Sequence, residues 1–180
     1  TAGKLLTDNF STLYPASNYF QVGSTYSLAA DGAGKIQNFL PQTGTSGKLT
    51  SNYTITNSGS QTTSAGKLGG EVVALKLNVD ASANNLLTHP ASLPFGDLYY
   101  CPSGSDDLKG KKISEILTTA AQVMGGALAS PPSGYTYATL DQLLQNLNES
   151  FKSGVTSSVN AGCQVSAWAN TNLKKTSCAP

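Results

Sequence analysis

Two apolar stripes in the second half of the chain constrain its fold more than any other feature. Ile113, Ile116, Leu117, Ala120, Val123 and Met124 recur at helical spacing, and Gly125-Gly126 follows as a natural C-terminal stop. Leu140, Leu143, Leu144, Leu147 and Phe151 form a second stripe, with Thr139 and Gln142 placed as a capping box. A Pro-Gly connector over residues 129–137 separates the two. The pattern predicts an antiparallel helix pair, each helix laying its stripe on the rest of the domain.

The first half reads differently. Short segments are broken by Gly, Ser and Asn. Phe20-Gln21-Val22 and Thr25-Tyr26-Ser27-Leu28 flank Gly23-Ser24 and read as a hairpin or a bent strand. Residues 31–40 read as a short helix, with Asp31 as N-cap, Ile36, Phe39 and Leu40 on one face, and Pro41 ending it. Leu49, Tyr53 and Ile55 alternate with Thr and Asn as in a strand. Residues 69–79 fit either period: Val73, Leu75, Leu77 and Val79 as a strand face, or Leu68, Val72, Leu75 and Val79 as a helix stripe. The fold class is therefore α+β, a short-stranded β region packed with several amphipathic helices in a single domain. The expected divisions are an extended N-terminal segment over 1–15, a core over 16–152 and a C-terminal tail over 153–180 tied by cysteine.

Composition narrows the function classes. The chain has 180 residues, no arginine, one histidine (His89) and ten carboxylates, with 12% of residues charged and a net charge of +1. A chain without arginine lacks the bidentate partner for phosphate and guanine, so nucleic acid is not an expected partner. No apolar run approaches the roughly 20 residues that cross a bilayer. Low net charge puts little electrostatic repulsion between copies. The Ser/Thr/Asn-rich, charge-poor sequence fits an extracellular or cell-surface setting.

Cys101, Cys163 and Cys178 are an odd number, so one pair can close and one thiol is left over. Cys163 with Cys178 would close a short loop in the tail, whereas Cys101 with either would staple the tail to the body. His89 lacks a nucleophile elbow around it, and its nearest acids in sequence are Asp80 and Asp97, so a turn residue is the plainer reading. Asp106-Asp107 could offer oxygens to calcium but lack the spacing of an EF-hand loop. Asn9, Asn52 and Asn148 open glycosylation triplets of a kind that arises by chance in such a composition. Eight tyrosines among Thr, Ser and Asn could stack on sugars or form subunit contacts.

Five stretches, 31–41 (DGAGKIQNFLP), 64–80 (SAGKLGGEVVALKLNVD), 95–101 (FGDLYYC), 108–126 (LKGKKISEILTTAAQVMGG) and 138–151 (ATLDQLLQNLNESF), carry a resemblance in their order and spacing. The chain resembles a domain found in secreted and surface proteins of bacteria. The resemblance implies an extracellular structural module, and it implies a helix over 69–79. The chain departs from that pattern where relatives open the first long helix with Thr or Ser and it has Lys111-Lys112. Two cations there oppose the helix dipole at about 0.3–1 kcal/mol each unless an acid sits close. Asp106 and Asp107 are the nearest candidates.

The expected function is that of a self-assembling extracellular structural subunit of a filament, fibre or surface layer, acting without catalysis, metal or cofactor. Its expected partners are copies of itself, through Leu5, Leu6, Phe10, Leu13 and Tyr14 of the N-terminal segment. The alternative is a cell-surface adhesion or carbohydrate-binding module that uses the tyrosines on a glycan.

Overall fold

A long helix, α3 (Gly66–Ala83), runs through the molecule, and the helices over 113–124 and 137–148 pack on it. The computed structural model describes residues 2–15, 19–59, 61–87, 93–152 and 164–178. Helix α1 (Ala2–Leu13) leads into an antiparallel hairpin of β1 (Phe20–Gly23) and β2 (Ser27–Ala30), with Phe20 opposite Ala30 and Gly23 opposite Ser27. Helix α2 (Ala33–Phe39) follows, and the two-residue β3 (Tyr53–Thr54) adds to β2 in parallel. After α3 come a 3-10 turn (Phe95–Asp97), β4 (Tyr99–Tyr100), α4 (Ile113–Met124) and α5 (Tyr137–Asn148). The chain ends in β5 (Phe151–Lys152), β6 (Gln164–Val165), α6 (Ala167–Asn172) and β7 (Leu173–Lys174). β4 pairs with β7 and β5 with β6, both antiparallel. The α+β class is as the sequence indicates.

Helix α3 resolves the ambiguity over 69–79. Its first half is buried on most sides (Leu68, Gly69, Gly70, Val72, Val73 and Leu75), with only Lys67, Glu71 and Ala74 facing outward, so its apolar stripe is too broad to mark it as helical. The glycines let neighbours approach closely: a Cβ on Gly70 would lie 2.8 Å from Gln42 Cβ. Helices α4 and α5 bury the stripes expected of them, apart from half-buried Leu117. Both stripes pack on α3, so the two do not form the expected antiparallel pair. Phe151 leaves the α5 stripe for β5, where its ring meets Phe95 edge-on at 5.6 Å.

Four further expectations need correction. The N-terminal segment is not extended: residues 2–13 are helical. Leu6, Phe10 and Tyr14, four residues apart, lie on one face and are buried in the chain's own core. Phe10 packs on Tyr14 at 5.1 Å, and Tyr14 meets Phe20 edge-on at 5.4 Å. Leu5 and Leu13 are half-buried, and Leu13 packs against the same core. Second, the cap of α5 is Thr136, three residues earlier than expected, because its hydroxyl accepts from Thr139 N–H at 3.1 Å. Third, Asp31 does not cap α2, where Gly32 holds that position, but pairs with Lys35. Fourth, the strand expected over Leu49 to Asn57 shrinks to Tyr53–Thr54, while Leu49 and Ile55 are buried.

Candidate functional site

The polar side chains of the body cross-brace its elements. Tyr14 Oη donates to Asp80 Oδ2 at 2.9 Å, and Lys76 Nζ reaches the same oxygen at 2.7 Å while lying 5.9 Å above the tyrosine ring. This tie fixes the end of α1 to α3. Burial first, and the Asp80 carboxylate second, hold the Tyr14 phenol well above its ordinary range, so it stays a donor. At the other edge of α1, Gln37 Nε2 donates to Gly3 O and Thr7 Oγ1, both at 2.9 Å.

A second brace joins α3 to α5. Asn148 Nδ2 donates to Glu71 O at 3.1 Å and to Glu71 Oε2 at 2.7 Å, and Asn78 Nδ2 donates to Asn148 Oδ1 at 3.0 Å. Burial raises the Glu71 carboxyl above its ordinary 4.5; the Asn148 hydrogen bond opposes that, and the charges of Asp141 and Glu149 add to it. A carboxyl raised by folding binds its proton more readily in the folded state. Its ionisation therefore costs stability as pH rises through the folded value, and the cost vanishes below 4.5. Glu71→Gln, which keeps an acceptor for Asn148, is expected to raise the melting temperature at pH 7–8 and to lose that advantage near pH 4. Thermal denaturation at the two pH values checks this; an equal effect at both would contradict it.

The candidate residues from the sequence separate rather than converge. Lys112 meets Asp97 at 3.0 Å, and Glu115 Oε2 accepts from Lys112 N–H at 2.8 Å, so these acids, not Asp106 and Asp107, answer the cation opening α4. Asp106 Oδ1 instead accepts from the N–H groups of Leu108 and Lys109. Asp107 Oδ2 accepts from Ser133 N–H and ties down the connector before α5. Among the described residues no group of three His, Cys, Asp or Glu could hold a metal ion. His89 and Cys163 lie outside the described residues. Of the glycosylation triplets, Asn148 is engaged in the α3–α5 brace, Asn9 Nδ2 donates to Leu5 O, and exposed Asn52 accepts from Ser27 N–H through Oδ1 at 3.0 Å. Tyr19 is the exposed tyrosine among those described; Tyr14 and Tyr100 are buried and the rest are half-buried.

Two clefts mark the described surface. One, of about 480 Å³, runs beside the outer edge of β1 between Gln21, Val22, Leu117 and Gln122, and its charged group, Lys76, is already paired with Asp80. The other, of about 340 Å³, is walled by a disulfide between Cys101 and Cys178, with Lys109 and Lys174 at its sides. Of the pairings the sequence leaves open, this bridge staples the tail to the body. No helix among the described residues is long and apolar enough to cross a membrane. No protein-family model, curated protein or solved structure matches the chain.

Proposed function

We propose that the chain is an extracellular structural module whose copies associate into a filament, fibre or surface layer. The observation that carries this reading is the use of the polar groups: among the described residues the Tyr14–Asp80–Lys76 and Glu71–Asn148–Asn78 clusters join elements to one another. A disulfide holding the C-terminal end fits an oxidising, extracellular setting.

The two ends of the chain are held differently, and that difference suggests the route of assembly. The C-terminal end is covalently fixed, whereas α1 is held by non-covalent contacts, among them side-chain burial, Gln37 and Tyr14. A neighbour's α1 would make the same contacts in the same groove, so exchange needs no new interface. Exchange from each copy to the next in one direction gives an open polymer. The low net charge offers little resistance. Light scattering across a concentration series tests the reading. The full chain is expected to gain mass with concentration, and a version lacking residues 1–14 to remain monomeric. A constant monomer mass for the full chain would overturn it.

A further inference from the structure

We infer that the Cys101–Cys178 bond is a reducible latch, opened in the folded protein by an external thiol, whose cleavage frees α6 and β7 from β4. Both half-cystines are partly exposed and form a wall of the 340 Å³ cleft, with Pro102, Thr176 and Ser177 around them. An attacking sulfur therefore has a path to the bond without unfolding. Lys109 and Lys174 flank the same cleft, both exposed, and among the described residues neither is in an ion pair. Two ammonium groups draw in an anionic thiol.

The chemistry balances with a small monothiol as reductant. Its thiolate attacks one sulfur of the bridge, the S–S bond breaks, and the electron pair departs on the other sulfur, which takes a proton from water. A second thiolate then attacks the mixed disulfide. The protein gains two thiols, and the two monothiols leave joined as one disulfide.

What joins these elements to β4 after cleavage is slight, while Trp168 and Leu173 still pack on the core and Ser166 N–H donates to Ser150 O at 2.9 Å. β7 pairs with β4 over two residues, Tyr99 with Lys174 and Tyr100 with Leu173. Cys101 N–H donates to Asn172 O at 2.7 Å, and Trp168 stacks on Tyr100 with centroids 6.1 Å apart. A two-residue pair is not stable by itself in water. Opening would uncover Tyr100 and one edge of β4, while Lys111 and Lys112 still bond the β4 strand from the body. A bare strand edge accepts another strand, so the reduced form would offer a contact that the oxidised form conceals.

The test uses the full chain with Cys163→Ser, so that the two remaining cysteines are the bridge. Reduced glutathione, which is anionic, and β-mercaptoethanol, which is neutral, are added without denaturant. The readouts are thiol content, emission of Trp168 (the chain's sole tryptophan), far-ultraviolet circular dichroism and hydrogen exchange. The expected result is two thiols per chain, released at a rate proportional to thiol concentration. Trp168 emission should shift to the red and exchange should accelerate over 164–178, with the helical spectrum retained. Lys109→Ala with Lys174→Ala should slow glutathione by about fivefold and leave β-mercaptoethanol nearly unchanged. The Cys101→Ser/Cys178→Ser variant should match the reduced protein in emission. Reduction at a rate independent of thiol concentration, unchanged Trp168 emission and exchange after reduction, or collapse of the whole fold would each overturn the latch. Equal slowing of both thiols would overturn the role of the two lysines.

Discussion

Gly66→Ala is expected to destabilise the protein by at least about 3 kcal/mol, lowering the melting temperature by about 6–12 °C. Gly66 opens α3 at φ +53°, in the left-handed region where a Cβ is strained. The larger effect is steric. A Cβ there would stand 2.1 Å from Thr45 O and 2.8 Å from Thr45 C, and backbone cannot rotate aside as a long side chain can. The surroundings are fixed as well: Gly66 N–H donates to Thr63 O at 3.0 Å, and Gly47 N–H donates to Ala65 O at 3.1 Å. Relief would require α3 to shift, and α4 and α5 both pack on α3. Gly104→Ala is the control, since a Cβ at that position meets nothing within 4 Å. It should melt within about 2 °C of the parent. Thermal denaturation of the two variants checks the packing around α3, and a Gly66→Ala protein as stable as Gly104→Ala would contradict it.

Removal of the disulfide is the second large effect. The bridge joins positions 77 apart in sequence. Loop-closure entropy gives a bond of that span about 4 kcal/mol of restraint on the unfolded chain. Cys101→Ala/Cys178→Ala should therefore lower the melting temperature by about 8–15 °C. The body should stay folded at room temperature, because the core built from α1 to α5 does not include Cys101 or Cys178. Cys163→Ser separates this pairing from the other two that three cysteines allow: it should retain the parent melting temperature and its sensitivity to reductant. If Cys163→Ser instead matched the double variant, the bridge would be assigned wrongly. Measuring the melting temperature with and without reductant for all three proteins decides the matter.

The parts of the fold that were legible in the sequence are those half in and half out of the core. Helices α4 and α5 each bury one stripe on α3, and that half-burial writes a 3.6-residue period into the sequence. Helix α3 carries only a faint mark over Leu68–Leu75, where all but Glu71 and Ala74 are buried. Helix α1 was missed for the opposite reason. Its buried contribution is Leu6 and Phe10, with Tyr14 just beyond it, and the Thr, Asp, Asn and Ser between them are weak helix formers. The cap of α5 was misplaced because Thr136 and Thr139 both suit it, and only backbone geometry chooses between them. The braces were illegible throughout. Tyr14 and Asp80 lie 66 positions apart and Asn148 and Glu71 lie 77 apart, so no local pattern couples them.

The central proposal is that copies associate by exchanging α1, and a cross-link between α1 and α2 reads that exchange directly. A Cβ at Gly3 would lie 3.1 Å from the Gln37 side chain, so cysteines at the two positions can be joined by a short bis-maleimide. The experiment uses Gly3→Cys/Gln37→Cys with Cys163→Ser, treated at high and at low protein concentration and analysed on a denaturing gel. Exchange predicts a ladder of joined chains at high concentration and internally linked single chains after dilution before treatment. Internally linked single chains at every concentration would mean that α1 never leaves its own body, and would contradict the proposal.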